Sequence, residues 1–224
     1  ESMRRQRNAL FAAFTTLTVL AALFAPLPAL AVEEPAFKLL RTLGAVELRE
    51  YPSYVVAETV VDGRDFDHAG NEGFRRLAGY ILGGNRAAGA AGGSQKIAMT
   101  APVAQRPRGG SERIAMTAPV AQRGGAQGWV VAFTMPAAST LATLPAPNDS
   151  RVTLREVPVR TVAALRFSGF WSEGRFAART AELLAAVRTA GWTVIGEPET
   201  ARYDPPFMPW FLRRNEVMVE VAAP

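Results

Sequence analysis

Cysteine is absent from this 224-residue sequence, which removes disulfides, thiolate nucleophiles and every cysteine-based zinc or iron–sulfur centre. A single histidine, His68, excludes a histidine cluster and leaves one imidazole for any ligation. Lysine is scarce too, since of 25 basic residues only Lys38 and Lys96 are lysine. Charged residues make up 20%, and no basic run is interleaved with aromatics. The net charge of +5 therefore reads as scattered, solvated arginines, with no nucleic-acid partner expected. No phosphate-cradling loop is present, because Gly89 to Gly93 follow alanine-rich sequence rather than a strand. An enzyme is not expected, and no catalytic residue is assigned. Glu50 and Glu156 are the one carboxylate pair at equivalent positions, and nothing nearby supports acid–base chemistry.

What remains is an apolar chain, 49% hydrophobic, with material for one sizeable core. Its start reads as a targeting segment. Arg4, Arg5 and Arg7 precede an uncharged apolar run, Ala9 to Ala25, and Ala29-Leu30-Ala31 offers small residues where a signal peptidase reads. The expectation is a signal peptide over residues 1–31, cleaved near Ala31, and a periplasmic or secreted domain over 32–224. If the segment is not cleaved, it is the protein's one membrane contact.

The stretch Lys96 to Arg106 returns 17 residues later as Arg113 to Arg123, with ten of eleven positions unchanged. Each copy is an apolar, β-compatible run containing a proline, and Pro107, Gly109 and Gly110 supply a turn between them. Two hairpin arms are predicted; the alternative is a local duplication in a tolerant loop. Met99 and Met116 either line a site with the Thr-Ala-Pro after them or fill irregular core space.

A longer repeat orders the chain. Leu48-Arg49-Glu50-Tyr51-Pro52, Val56-Ala57 and Gly63 match Leu154-Arg155-Glu156-Val157-Pro158, Val162-Ala163 and Gly169 at a constant offset of 106. In the first half, Val46 to Arg49 and Tyr54 to Val61 predict a hairpin. A helix follows, with Phe66, Gly73, Phe74, Leu77 and Ile81 on one face, Asp65 or Asp67 as cap and Gly83-Gly84 as stop. In the second half Ser172 opens a helix with a stripe of Phe176, Thr180, Leu183, Leu184 and Val187, ending at Gly191. Strands are predicted at Lys96 to Val103, Arg113 to Ala121, Trp129 to Met135, Glu199 to Tyr203 and Glu216 to Val221. The expected fold is α+β, two pseudo-symmetric halves (about 37–136 and 150–221) forming a distorted antiparallel β-barrel flanked by two helices. Residues 137–149 are expected to be an exposed linker.

Several motifs then carry a resemblance. Met-Thr-Ala-Pro-Val after a helix ending in Gly-Gly-Asn, Phe133-Thr-Met-Pro136, Leu165-Arg-Phe-Ser-Gly169, Tyr203-Asp-Pro-Pro-Phe and Arg213-Arg-Asn-Glu-Val217 resemble the SOUL haem-binding family, from about Phe37 to Val221. The resemblance implies non-covalent haem or a related tetrapyrrole in a shallow apolar site beside the first helix. The arginine, methionine and lysine that animal members place there fall on Asn71, Ala78 and Gly79, and the axial histidine of one branch falls on Glu50, so none of these side chains is retained.

Haem asks for an apolar slot, cations for its propionates and optionally an axial donor. Two groups of residues answer. On the outward face of the first helix, His68 (a candidate iron ligand), Asn71, Arg75 and Gly79, with Phe74 and Ala78 also assigned to the site and Arg75 or Arg76 to meet a propionate, make a surface site; an ordinary solvated helix face is the competing reading. Near the C-terminus Tyr203, Phe207, Trp210 and Phe211 alternate with Pro205, Pro206 and Pro209 and precede Arg213 and Arg214. That loop is either a lid over a flat anionic ligand or a cover packed on the barrel end, and Phe170 and Trp171 suit both. The expected function is an exported haem or tetrapyrrole carrier, buffer or scavenger. The alternatives are a binding module for another flat apolar or cationic small molecule, or a protein-interaction module of the envelope.

Overall fold

The computed structural model describes residues 32–63, 65–87, 92–108 and 128–222. Strands β1 (Lys38–Leu43), β2 (Val46–Tyr51) and β3 (Tyr54–Asp62) lead into helix α1 (Phe66–Ile81) and the short β4 (Asn85–Arg86). Then come β5 (Val103–Pro107), β6 (Gly128–Thr134), the short β7 (Ala146–Pro147), β8 (Val152–Val157) and β9 (Arg160–Phe167). Helix α2 (Glu173–Thr189), β10 (Glu199–Arg202) and β11 (Asn215–Val221) complete the chain. Nine strands form one antiparallel sheet in the order β1-β2-β9-β11-β10-β5-β6-β3-β8, and β4 pairs with β7.

The predicted hairpin is overturned. β2 pairs with β1 and β9, whereas β3 pairs with β6 and β8. A two-residue hairpin turn needs φ > 0 at its first position, which Pro52 with its fixed negative φ cannot adopt, so β3 is not folded back on β2 and the chain passes on. In the second half β8 and β9, joined by Pro158 and Val159, part in the same way. The two ladders share one arithmetic. Tyr51 faces Arg160 and Leu48 faces Ala163; moving each partner by 106 gives Val157 facing Tyr54 and Leu154 facing Ala57, both observed. All six pairs of the β2·β9 ladder convert in this way. Each two-residue link joins strands near opposite ends of the sheet order, so the sheet has to curl until those ends approach, and it forms a half-barrel.

Other boundaries shift for local reasons. Of the first repeat copy only Val103–Pro107 is strand; Lys96 to Pro102 runs irregularly, and Thr100 makes an isolated parallel bridge to Glu33. The second copy, and so the hairpin between copies, lies outside the described residues. β1 went unforeseen because it is an edge strand exposed along most of its length, with no buried alternation to reveal it. The 137–149 connector is anchored rather than wholly exposed: Leu144 is buried, the Tyr80 hydroxyl donates to the Pro145 carbonyl at 2.9 Å, and Ala146–Pro147 is β7.

Both helices follow their sequence signals. Asp65 accepts the His68 backbone N–H at 2.6 Å, and Ser172 accepts that of Arg175; beyond the far ends Gly83 and Gly191 take positive φ, 119° and 72°. α2 lays Phe176, Leu183 and Val187 on Leu48, Ala163, Leu165 and Val217. α1 sets Leu77, Tyr80 and Ile81 on Val55, Ala57, Val131 and Phe133. It comes so close that a Cβ on Gly73 would stand 2.5 Å from Val131. The opposite face of the sheet holds Tyr51, Val162, Ala164, Ala201 and Met218. Among the described residues the buried members of the three core clusters run from Val46 to Val221.

Candidate functional site

The helical period places His68, Asn71, Arg75 and Gly79 on the solvent side of α1, all four exposed, with Ala78 half-buried at its edge. A Cβ on Gly79 would meet nothing within 4 Å. Arg75 is ion-paired to Glu72, as is Arg76 at 2.7 Å. Phe74, 40% exposed, leans its ring on Phe133 with centroids 5.4 Å apart. His68 stands on the crest of the helix, about 120° around the axis from Phe74.

The C-terminal loop presents its aromatics outward. Phe207 is 85% exposed, and Phe170, Trp210, Phe211 and Leu212 are exposed beside it. Phe170 and Trp210 stack with centroids 5.1 Å apart, and Phe211 meets Trp210 edge-on. The loop is held from behind. Arg213 donates to the Met208 carbonyl at 2.7 Å and to the Pro206 carbonyl at 2.5 Å. Arg214 is consumed by carboxylates, Glu34 at 2.8 Å and Glu216 at 3.0 Å. Tyr203 points inward and donates to Glu216 at 2.8 Å; burial and the neighbouring Glu216 carboxylate push its phenol well above the usual range. Of the candidates on this loop, Phe207, Trp210 and Phe211 are therefore surface, Arg213 is a loop brace, and Tyr203 and Arg214 belong to the barrel.

Between α1 and this loop lies a seam that sequence reasoning missed. Trp171 donates its indole N–H to Asn215 at 2.7 Å, and two guanidinium groups lie against its ring: Arg213 at 4.5 Å and Arg202 at 5.1 Å from the centroid. Arg202 also faces the rings of Phe66 at 5.0 Å and Phe176 at 5.7 Å. It alternates along β10 like any solvated arginine, so no local pattern marks it.

At the barrel mouth, residues 33–36 run beside the β2–β3 link and border a cavity of about 360 Å³. Its lining is mainly apolar, including Pro35, Tyr54, Val55, Met135 and Leu141, with Glu33, Glu34 and Glu156 as its only charged residues. Burial, which outweighs the field of Arg160, raises the Tyr54 phenol to about 12.

A family model described as SOUL heme-binding protein matches residues 32–220. The chain belongs to the SOUL haem-binding family. The family is one of haem binders and is not typically enzymatic. No curated protein matches the sequence. Among solved structures, EcmrR in a complex with DNA has a TM-score of 0.55 at 12% identity, over 80% of this chain and 57% of that one. This chain thus spans little more than half of that EcmrR chain. An uncharacterised conserved protein from Listeria innocua has a TM-score of 0.50 at 14% identity, over 79% of this chain and 92% of that one. These likenesses concern the fold alone.

The residues at the seam fit the family's ligand in two respects. The exposed aromatics offer a platform for a flat macrocycle, and Arg202 and Arg213 have no carboxylate within salt-bridge distance among the described residues. For the iron itself, haem takes one or two axial protein donors, and the single imidazole, that of His68, stands on the helix crest.

Proposed function

We propose that this chain is an exported, non-catalytic tetrapyrrole-binding protein, acting as carrier, buffer or scavenger after removal of residues 1–31. The observation that carries the reading is the family match across residues 32–220, which coincides with an aromatic surface no core requires. Haem would lie along the seam, its macrocycle on the flank of α1 that bears Asn71, Phe74 and Ala78 and on the Phe170–Trp210 pair, with His68 and Gly79 at the helix crest. Apolar contact and carboxylate recognition supply the affinity, since binding a flat apolar ring requires no covalent link. Titration of residues 32–224 with haemin, followed by absorbance and tryptophan quenching, tests this. Saturable one-to-one binding supports the reading, and non-saturable partition overturns it.

The barrel-mouth cavity favours a second reading. Its volume suits a small ligand, and although Glu34 on its rim is paired with Arg214, Glu33 and Glu156 have no salt bridge among the described residues, so the rim would repel propionates and attract a compact apolar cation. Competition separates the two: an organic amine bound at the mouth leaves the haemin isotherm unmoved.

A further inference from the structure

Arg202 is an uncompensated cation inside the protein. Its guanidinium is mostly buried, yet no carboxylate lies within salt-bridge distance among the described residues. Its Nε has no hydrogen-bond partner, and its Nη2 reaches only the Gln105 side-chain oxygen, at the long distance of 3.5 Å. Elsewhere the interior arginines are matched: Arg49 and Arg214 meet Glu216, and Arg160 meets Glu199 at 2.7 Å. Burial drives the Arg202 pKa down, against the weaker field of Asp67 on α1.

The surroundings hold this charge in place without neutralising it. Phe66, Phe176 and Trp171 present ring faces to it. Gln105, which donates to the Phe66 carbonyl at 2.9 Å, fixes the floor. On the α1 side residue 70 is glycine, which leaves the guanidinium room: a Cβ there would stand 3.3 Å from Arg202 Nη1 and 2.9 Å from the Gln105 oxygen. Trp171 then passes to Arg213, whose donors go to neutral carbonyls. Two cations thus share one indole with no anion between them. A buried, unpaired charge is costly, and a preformed fork of N–H donors is suited to a planar carboxylate.

We propose that Arg202, with Arg213 across the Trp171 ring, is the carboxylate-recognising element of the seam, taking an acid group of a flat aromatic ligand whose ring lies on the neighbouring aromatics. This rests on the tetrapyrrole reading for the identity of the ligand, and its test separates the two.

Haemin and haemin dimethyl ester, which lacks free carboxylates, are titrated into residues 32–224 carrying Arg202, Arg202→Gln or Arg202→Lys. Loss of a charge-assisted hydrogen bond corresponds to roughly a 10- to 100-fold change in Kd. Arg202→Gln is expected to weaken haemin by that factor and leave the ester within about twofold, with Arg202→Lys between. The ligand-free melting temperature of Arg202→Gln should hold or rise, because an unpaired buried charge is removed. Equal losses for both ligands, or a ligand-free protein melting several degrees lower, would make Arg202 a packing residue and overturn the proposal. If the unmodified protein binds neither tetrapyrrole, 1-pyrenebutyrate against 1-pyrenebutanol decides the site alone. Preference for the acid, lost in Arg202→Gln, sustains carboxylate recognition, and no preference sinks it.

Discussion

Arg49 and Glu216, 167 positions apart in sequence, form a two-pronged ion pair inside the barrel, Nη1 to Oε2 at 2.7 Å and Nη2 to Oε1 at 3.1 Å. Glu216 is wholly buried, and Tyr203 and Arg214 bond to it as well. Removing one partner of such a pair leaves an uncompensated charge in the interior, at about 3–5 kcal/mol. Glu216→Ala should therefore lower unfolding stability by that amount in urea, whereas Glu47→Ala, whose carboxylate meets the same arginine from a partly exposed position, should cost under about 1 kcal/mol. Equal effects would mean the buried pair carries no special share of the stability.

The same carboxylate sets an acid limit. Burial pushes the Glu216 pKa up, but the hydrogen bonds and charge of Arg49, aided by Tyr203 and Arg214, outweigh it and hold the group below its usual value. A pKa lower in the folded than in the unfolded chain gives stability that is complete above the unfolded value, about 4.3 for glutamate. It is lost as pH falls through the folded value. Urea midpoints should be flat with respect to this group from pH 7 to about 5 and then decline. In Glu216→Gln that part of the acid decline should be missing, and an undiminished slope would assign it to other carboxylates.

Gly73 marks where α1 meets the sheet. Gly73→Ala gains helix propensity of about 1 kcal/mol, yet its new Cβ would fall 2.5 Å from the Val131 side chain, an overpacking penalty of about 1–3 kcal/mol. The net expectation is destabilisation. Val131→Ala in the same protein removes the two Cγ atoms, at 2.5 and 2.9 Å, but keeps the Cβ at 2.5 Å, so it should recover only part of the loss, and the coupling in that double-mutant cycle is the measurement. An additive cycle would show that the contact is relieved elsewhere.

How far the sequence foretells this molecule depends on where each signal resides. The helices were legible because caps, stops and a 3.6-residue stripe are local: Asp65, Ser172, Gly83 and Gly191 all act as their residue types imply. Strand pairing was not, because β2 reads the same whether its partner is β3 or β9. Only the offset of 106 held the needed information, and in the structure it links the two ladders and not the strands of one hairpin. At the candidate site the loop aromatics were visible by composition. The destinations of Arg213 and Arg214, one to carbonyls and one to Glu34 and Glu216, were not, since a motif of two adjacent arginines does not say which of them faces an acid. Arg202 was invisible because it alternates along β10 as a solvated arginine would.

The outward loop gives a test of the ligand platform on a domain that should remain folded. Trp210 and Phe211 are 48% and 58% exposed, so the double substitution to Ala removes about half of each ring from packing and should lower the ligand-free melting temperature by several degrees while the domain stays folded. If the stacked ring is part of the ligand platform, haemin affinity should fall at least about tenfold, since base-like stacking on one aromatic contributes about 1–3 kcal/mol. Full affinity in this variant would move the macrocycle onto α1 alone.

His68 decides between the two flanks. Asn71 lies about 60° from it around α1, and Phe74 about 120°. A ligand held at the seam through Trp210 and Phe74 therefore sits beside the crest that carries the imidazole. The His68 backbone serves the Asp65 cap through its N–H, which any residue but proline supplies, so His68→Ala should fold as the parent does. The expected result is an unchanged haemin affinity and an unchanged Soret position, because carboxylate and ring contacts hold the ligand without the imidazole. A Soret band that moves in His68→Ala at constant affinity would place the iron over the helix crest, with His68 as its ligand. Loss of both affinity and band position would make the outward face of α1, with Arg75 and Gly79, the seat of the haem and leave the aromatic loop free for another partner.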